Sequence, residues 1–166
     1  GTGNDVITAN TTDALSATDK LAVDAGAGTG DVLVIAATAD INTAADGARY
    51  SNFEIIRSDD SVDMSLVAGI TALQVDGGTS ETYSAMSAAQ LGAITFLADN
   101  GTATTFTGAA LTGTSDVATI NLASTTATTN IDLTAIGVDN IEPVNFNVLT
   151  GTNTTGDSAI TFGANL

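Results

Sequence analysis

The chain begins Gly1-Thr2-Gly3-Asn4-Asp5-Val6-Ile7-Thr8, a glycine-rich bend that runs straight into aliphatic residues. Glycine adopts the left-handed backbone of a tight turn at no steric cost, so several carbonyl oxygens can face one point. Asp5 adds a hard anionic oxygen at that point, and Val6 and Ile7 start a strand whose side chains feed a core. A stretched echo follows at Asp24-Ala25-Gly26-Ala27-Gly28-Thr29-Gly30-Asp31-Val32-Leu33-Val34, with one residue more before the aspartate. Oxygen-only bends of this kind suit calcium, which takes six to eight oxygen ligands. The expected side-chain ligands are Asp5 and Asp31, with carbonyls from Gly1, Gly3, Gly26 and Gly28. Asp24 and Asp19 stand in second rank.

Working outward, short aliphatic bursts recur at 32–36, 53–57, 73–75, 94–97, 117–122, 144–149 and 160–162. Several alternate, as in Ile94 and Phe96, or Ile120 and Leu122, which marks half-buried strands. Turn signals lie between them at Asp46-Gly47, Asp76-Gly77-Gly78, Asn100-Gly101 and Thr112-Gly113. Threonine pairs at Thr104-Thr105 and Thr125-Thr126 suit exposed strand faces. One segment, 84–91, reads as a helix with Ser84 as cap and Gly92 as stop. Asn52-Phe53-Glu54-Ile55-Ile56 recurs as Asn140-Ile141-Glu142-Pro143-Val144, and Val62-Asp63-Met64-Ser65 as Ile131-Asp132-Leu133-Thr134, in changed order. Degenerate units of this sort predict an all-β fold, a parallel β-solenoid-like coil with calcium-binding turns and one short helix. An antiparallel β-sandwich is the alternative. The expected division is 1–36 for the calcium turns and 37–166 for a β-rich module. Pro143, the sole proline, must lie at a strand edge or bend.

Composition excludes much else. Nineteen acids against three bases give a net charge of −16, which opposes binding to nucleic acid phosphates or an anionic membrane surface. Sixteen of the acids are Asp, the residue of turns and calcium loops. Without Cys or His, disulfides, thiolate metal sites and the Ser–His–Asp and Cys–His devices are ruled out. A carboxylate pair such as Asp59 and Asp63, or Glu54 and Asp63, is conceivable for glycoside cleavage. Yet five Phe, two Tyr and no Trp leave few sugar platforms, so the chain reads as non-enzymatic. Gly26–Gly30 precedes a strand and not a helix, unlike a phosphate loop. The acidic segment 58–63 reads as a solvated loop in preference to a metal site. No apolar run is long enough to span a membrane, so no membrane insertion is expected.

On the bend at 1–8, its echo and the two repeated units, the chain resembles the RTX-type surface-layer and adhesin proteins of Gram-negative bacteria. That resemblance implies calcium as cofactor, export by type I secretion, and a secreted, cell-surface location. It implies self-association into a lattice or filament, or, as the alternative, a spacer or ligand-binding module of an adhesin whose partner is a cell-surface glycan. A non-catalytic passenger of a secreted hydrolase is a third reading. Because the chain starts inside a repeat, it reads as a segment of a longer parent that flanks a calcium roll.

Overall fold

A computed structural model describes residues 1–9, 22–98, 104–108, 117–123, 137–138 and 143–149. Within these, the odd-numbered strands form one wall. They are β1 (Val6–Ala9), β3 (Val32–Ile35), β5 (Ile55–Ser58), β7 (Ala72–Val75), β9 (Ile94–Phe96), β11 (Ala118–Leu122) and β13 (Val144–Val148), hydrogen-bonded in that order. The even-numbered strands form the opposite wall. There β2 (Val23–Asp24) pairs with β4 (Tyr50–Ser51), and β6 (Val62–Asp63), β8 (Glu81–Met86), β10 (Thr104–Gly108) and β12 (Gly137–Val138) join in a second sheet. Every pairing is parallel. The chain therefore winds as a β-solenoid, one strand per wall per coil, and the antiparallel sandwich is excluded.

Parallel stacking in register sets like position on like position. One inward column runs Ile7, Leu33, Ile56, Leu73, Ile94, Ile120 and Phe146. The five from Leu33 to Ile120 are fully buried. A second runs Ala9, Ile35, Ser58, Val75, Phe96 and Leu122, and ends in register at the exposed Val148. Its one hydroxyl, Ser58, lies within 2.8 Å of the Ile35 carbonyl oxygen and accepts the Asp60 amide at 3.1 Å, so it is buried but satisfied. Tyr83 and Phe106 stack across the other wall at 5.7 Å, and Phe96 meets Phe106 edge-on. Aliphatic columns and this aromatic cluster fill the interior.

Coil length is uneven. Val6 pairs Val32, Val32 pairs Ile55, Ile55 pairs Ala72, Leu73 pairs Ile94, Ile94 pairs Ile120 and Ile120 pairs Phe146, spacings of 26, 23, 17, 21, 26 and 26. This irregularity explains why the repeats are degenerate. Aligned as sequence, Ile56 matches Val144; in the sheet Ile56 shares its column with Phe146, two residues on. The Gly-aliphatic pairs that follow the second unit in each half also differ: Gly69-Ile70 ends a turn, whereas Gly137–Val138 is β12. Pro143 lies just before β13 and its carbonyl accepts the Ala118 amide at 3.2 Å.

The helix at 84–91 needs correction. Ser84 and Met86 belong to β8, where Ser84 pairs with Asp63, and the helix α2 spans only Ala88–Leu91. Ser87 is the cap, in a capping box with Gln90. Gln90 also donates to the Met64 and Ile70 carbonyls at 3.3 and 3.1 Å, tying the helix to the core. A second short helix, α1 (Ala44–Gly47), replaces the turn expected at Asp46-Gly47. Gly47 is needed there because a Cβ would collide with the Leu66 carbonyl. Thr104, expected on an exposed face, is fully buried. The burst at 160–162, the turns at 100–101 and 112–113, Thr125-Thr126 and Ile131–Thr134 lie outside the described residues. The seven-stranded wall crosses residue 36 without a break, since β3 pairs β5.

Truncating Leu73, inside the stack, should cost about 2–5 kcal/mol. Truncating its neighbour Gln74, on the outer face, should cost about 0.5 kcal/mol or less. Urea denaturation of Leu73→Ala and Gln74→Ala measures both; equal losses would contradict this inside–outside assignment.

Candidate metal centre

The register that pairs Val6 with Val32 and Val32 with Ile55 also stacks the residues just before them, Asp5, Asp31 and Glu54. Each carboxylate in the lower coils serves the coil above. The Asp5 amide donates to Asp31 Oδ1 at 2.6 Å. The amides of Gly30 and Asp31 both donate to Glu54 Oε2, at 3.0 and 2.9 Å. These charge-assisted bonds hold the start of each strand over the next.

The acids are not thereby fully satisfied. Asp31 is completely buried, and its second oxygen, Oδ2, has no hydrogen-bond partner. That oxygen faces the bend. A Cβ placed on Gly28 would collide with the Gly3 carbonyl oxygen and would lie 2.8 and 3.0 Å from the two Asp31 oxygens. The Gly3 carbonyl and the Asp31 carboxylate thus flank one spot that only glycine leaves open. Gly26, at φ +98°, is similarly pressed against the Gly1 carbonyl, which accepts the Ala27 amide at 3.0 Å. Half-exposed Asp5 lies 3.4 Å from the Gly1 ammonium. The structure therefore brings together Gly1, Gly3, Asp5, Gly26, Gly28 and Asp31.

Asp24 is held by hydrogen bonds. It sits in β2, where its Oδ1 accepts the Gly26 amide at 2.8 Å and the Asn52 side-chain amide at 2.7 Å. Those bonds, Asn52 first, hold its carboxyl below the usual range. Asn52 reaches it from a left-handed backbone, φ 58°. Asp19 lies outside the described residues. Glu54 is the member that the motif reading missed. The signal was present: Asp5-Val6-Ile7, Asp31-Val32-Leu33 and Glu54-Ile55-Ile56 share an acid followed by two aliphatics.

The segment 58–63 is more than a solvated loop. Asp59 is exposed, but Ser58 and Val62 are buried. Asp60 accepts the Thr38 amide at 2.9 Å and the Ser61 amide at 2.7 Å. The Thr38 bond, then the Ser61 bond, draws its carboxyl below the usual range. Among the described residues, no three acid side chains gather closely enough to hold an ion by carboxylates alone. An ion at Asp31 would therefore need main-chain oxygens among its ligands. A cleft of about 580 Å³ lies beside the column, lined in part by Tyr50, Asn52, Phe53 and Glu54. Tyr50 and Phe53 are 3% and 0% exposed, so neither offers a sugar a stacking face.

No protein-family profile, curated protein or solved structure matches the chain. The physical chemistry of the bend must therefore carry the functional reading. Like charges stacked in successive coils repel one another, and a divalent cation at the open spot would offset that repulsion.

Two outcomes test the geometry. Gly28→Ala should destabilise the protein by about 1–3 kcal/mol. Gly3→Ala, whose Cβ would meet nothing within 4 Å, should change stability by about 0.5 kcal/mol or less; thermal denaturation separates them. The lowered carboxyl of Asp60 contributes stability that is present above the unfolded value of about 3.9 and is lost as pH falls through the lower folded value. Asp60→Asn should therefore weaken the protein at pH 7 by about 1 kcal/mol or less, given its partial exposure. That deficit should shrink as pH drops below about 4, as read by denaturant titration across pH.

Proposed function

We propose that the chain is a structural, calcium-ordered module of a secreted bacterial surface-layer protein that packs into a lattice or filament. The observation that carries this reading is the buried, unpartnered Asp31 Oδ2 aimed at the Gly3–Gly28 bend within a stack of acids. An oxygen-only pocket with a buried carboxylate suits calcium. Extracellular calcium modules bind at about 10⁻⁴ to 10⁻³ M, and a tenfold excess of ion adds about 1.4 kcal/mol per site. Against a typical stability of about 5–15 kcal/mol, a few sites decide whether the coil is ordered. A chain that stays loose without calcium also suits passage through a secretion channel.

The outer face of the long wall supports assembly. Its central column runs Val34, Arg57, Gln74, Thr95, Asn121 and Asn147. Arg57 donates to Gln74 at 2.8 Å, and Asn147 to Asn121 at 3.1 Å. These rungs make a flat, polar surface with one positive charge, suited to side-by-side packing of copies through hydrogen bonds and not through an apolar patch.

Electron microscopy with and without millimolar calcium tests assembly: ordered sheets or filaments are expected only with calcium, and inert monomers in both conditions would contradict the proposal. Asp31→Asn tests the site. The amide keeps the acceptor for the Asp5 N–H, so in chelator the variant should melt no lower than the parent. With calcium present, its melting temperature should fall below the parent's. Equal loss in both conditions would reduce Asp31 to a turn former.

A further inference from the structure

The chain contains two Asp-Gly pairs, Asp46-Gly47 and Asp76-Gly77, and the fold treats them in opposite ways. A backbone nitrogen can attack the carboxyl carbon of the aspartate before it, and glycine, lacking a Cβ, leaves that nitrogen unshielded. At Asp46-Gly47 both reacting groups are engaged. The Gly47 amide donates to the Thr43 carbonyl at 3.0 Å as part of α1. Asp46 Oδ2 accepts the Thr43 hydroxyl at 2.6 Å. Gly47 is also buried, pressed against the Leu66 carbonyl.

Asp76-Gly77 is the reverse case. The Asp76 amide donates to the Ser58 carbonyl at 3.0 Å, the last rung between β5 and β7, and anchors this end of the bend. One residue later the ladder stops. Among the described residues, neither the Gly77 amide nor the Asp76 carboxylate has a hydrogen-bond partner. Asp76 is exposed. Gly77 and Gly78 take φ 117° and 110°, so two successive residues without side chains leave the nitrogen free to approach the carboxyl. Nothing has to open before those two groups meet, whereas at Asp46 the first turn of α1 must loosen.

We propose that Asp76-Gly77 is a site of spontaneous isoaspartate formation, and that the fold directs this modification there and away from Asp46-Gly47. The Gly77 nitrogen forms a bond to Asp76 Cγ. The amide hydrogen and the carboxyl hydroxyl leave together as water, closing a succinimide ring. One water then adds back. Breaking the new Cγ–N bond restores aspartate. Breaking the original bond between the Asp76 carbonyl carbon and the Gly77 nitrogen leaves the main chain running through Cβ and Cγ, one methylene longer and with a free α-carboxylate. No oxidant or co-reactant besides water is needed. The consequence falls on the bend that leads into β8. Gly78 already lies so close to the Glu81 carboxyl that a Cβ there would collide with it, so a lengthened backbone at 76 displaces a tight contact. This inference rests on hydrogen bonding at two bends and is independent of the calcium reading.

Ageing the whole protein for weeks at neutral pH, then digesting it and fragmenting the peptides by electron transfer, reads isoaspartate at each position separately. That readout also separates Asn100-Gly101, which lies outside the described residues. In the folded protein, isoaspartate should accumulate at least about tenfold faster at Asp76 than at Asp46, since two hydrogen bonds of ordinary worth must break first at Asp46. In guanidinium, where neither pair is held, the two rates should become comparable. Asp76→Glu, a surface change whose longer side chain closes the imide ring far less readily, should remove the product at position 76. Asp76→Asn, which expels ammonia in place of water, should hasten it. No isoaspartate at 76 in the aged folded protein, equal accumulation at 46 and 76 while folded, a preference for 76 that persists undiminished in guanidinium, or a signal at 76 that survives in Asp76→Glu would overturn the proposal.

Discussion

Parallel stacking in register is the constraint on which everything else depends. Because each coil lies on the next with equivalent residues aligned, any property at one position is multiplied down a column. For the interior this is favourable: aliphatic side chains meet aliphatic side chains at every step, as in the run from Leu33 to Ile120. For the corners it is a liability, since an acid at one coil faces an acid at the next. The protein answers part of that repulsion with backbone amides, Asp31 receiving Asp5 and Glu54 receiving both Gly30 and Asp31. What the amides leave over are single carboxylate oxygens, buried and unmatched, on Asp31, Asp40 and Glu81.

Those leftovers connect architecture to the proposed chemistry. Asp40 illustrates the structural use of an acid taken nearly to completion: its Oδ2 accepts the amides of both Ala36 and Ala37, closing the corner after β3. Asp31 and Glu81 differ because a glycine stands beside the free oxygen and no side chain can fill the space. Glycine at these two places thus opens room as well as permitting a bend. In a chain with three basic side chains against nineteen acids, a bound metal ion would supply positive charge and tie folding to the calcium of the surroundings.

Much of the fold was legible in the sequence. The aliphatic bursts at 32–36, 53–57, 73–75, 94–97, 117–122 and 144–149 all map to the long wall, because a buried column tolerates little else. Register was not legible. Coils of unequal length shift similar units out of step, so Ile56 aligned with Val144 on paper and with Phe146 in space. The helix was misplaced by three residues because Ser84 and Ser87 are both plausible caps. Only the pairing of β8 with β6 in the neighbouring coil, absent from local sequence, decides between them. At the candidate site, Asp5, Asp31 and the glycines were visible from their spacing. Glu54 was not, since its partners come from the preceding coil, and the bond between Asp24 and Asn52 spans 28 positions and could not be read locally.

Anomalous diffraction from crystals grown in millimolar calcium measures the central claim directly. A calcium peak should lie about 2.3–2.6 Å from Asp31 Oδ2, with the Gly3 carbonyl among its ligands. A well-ordered bend in those crystals with Oδ2 facing no metal would contradict the account.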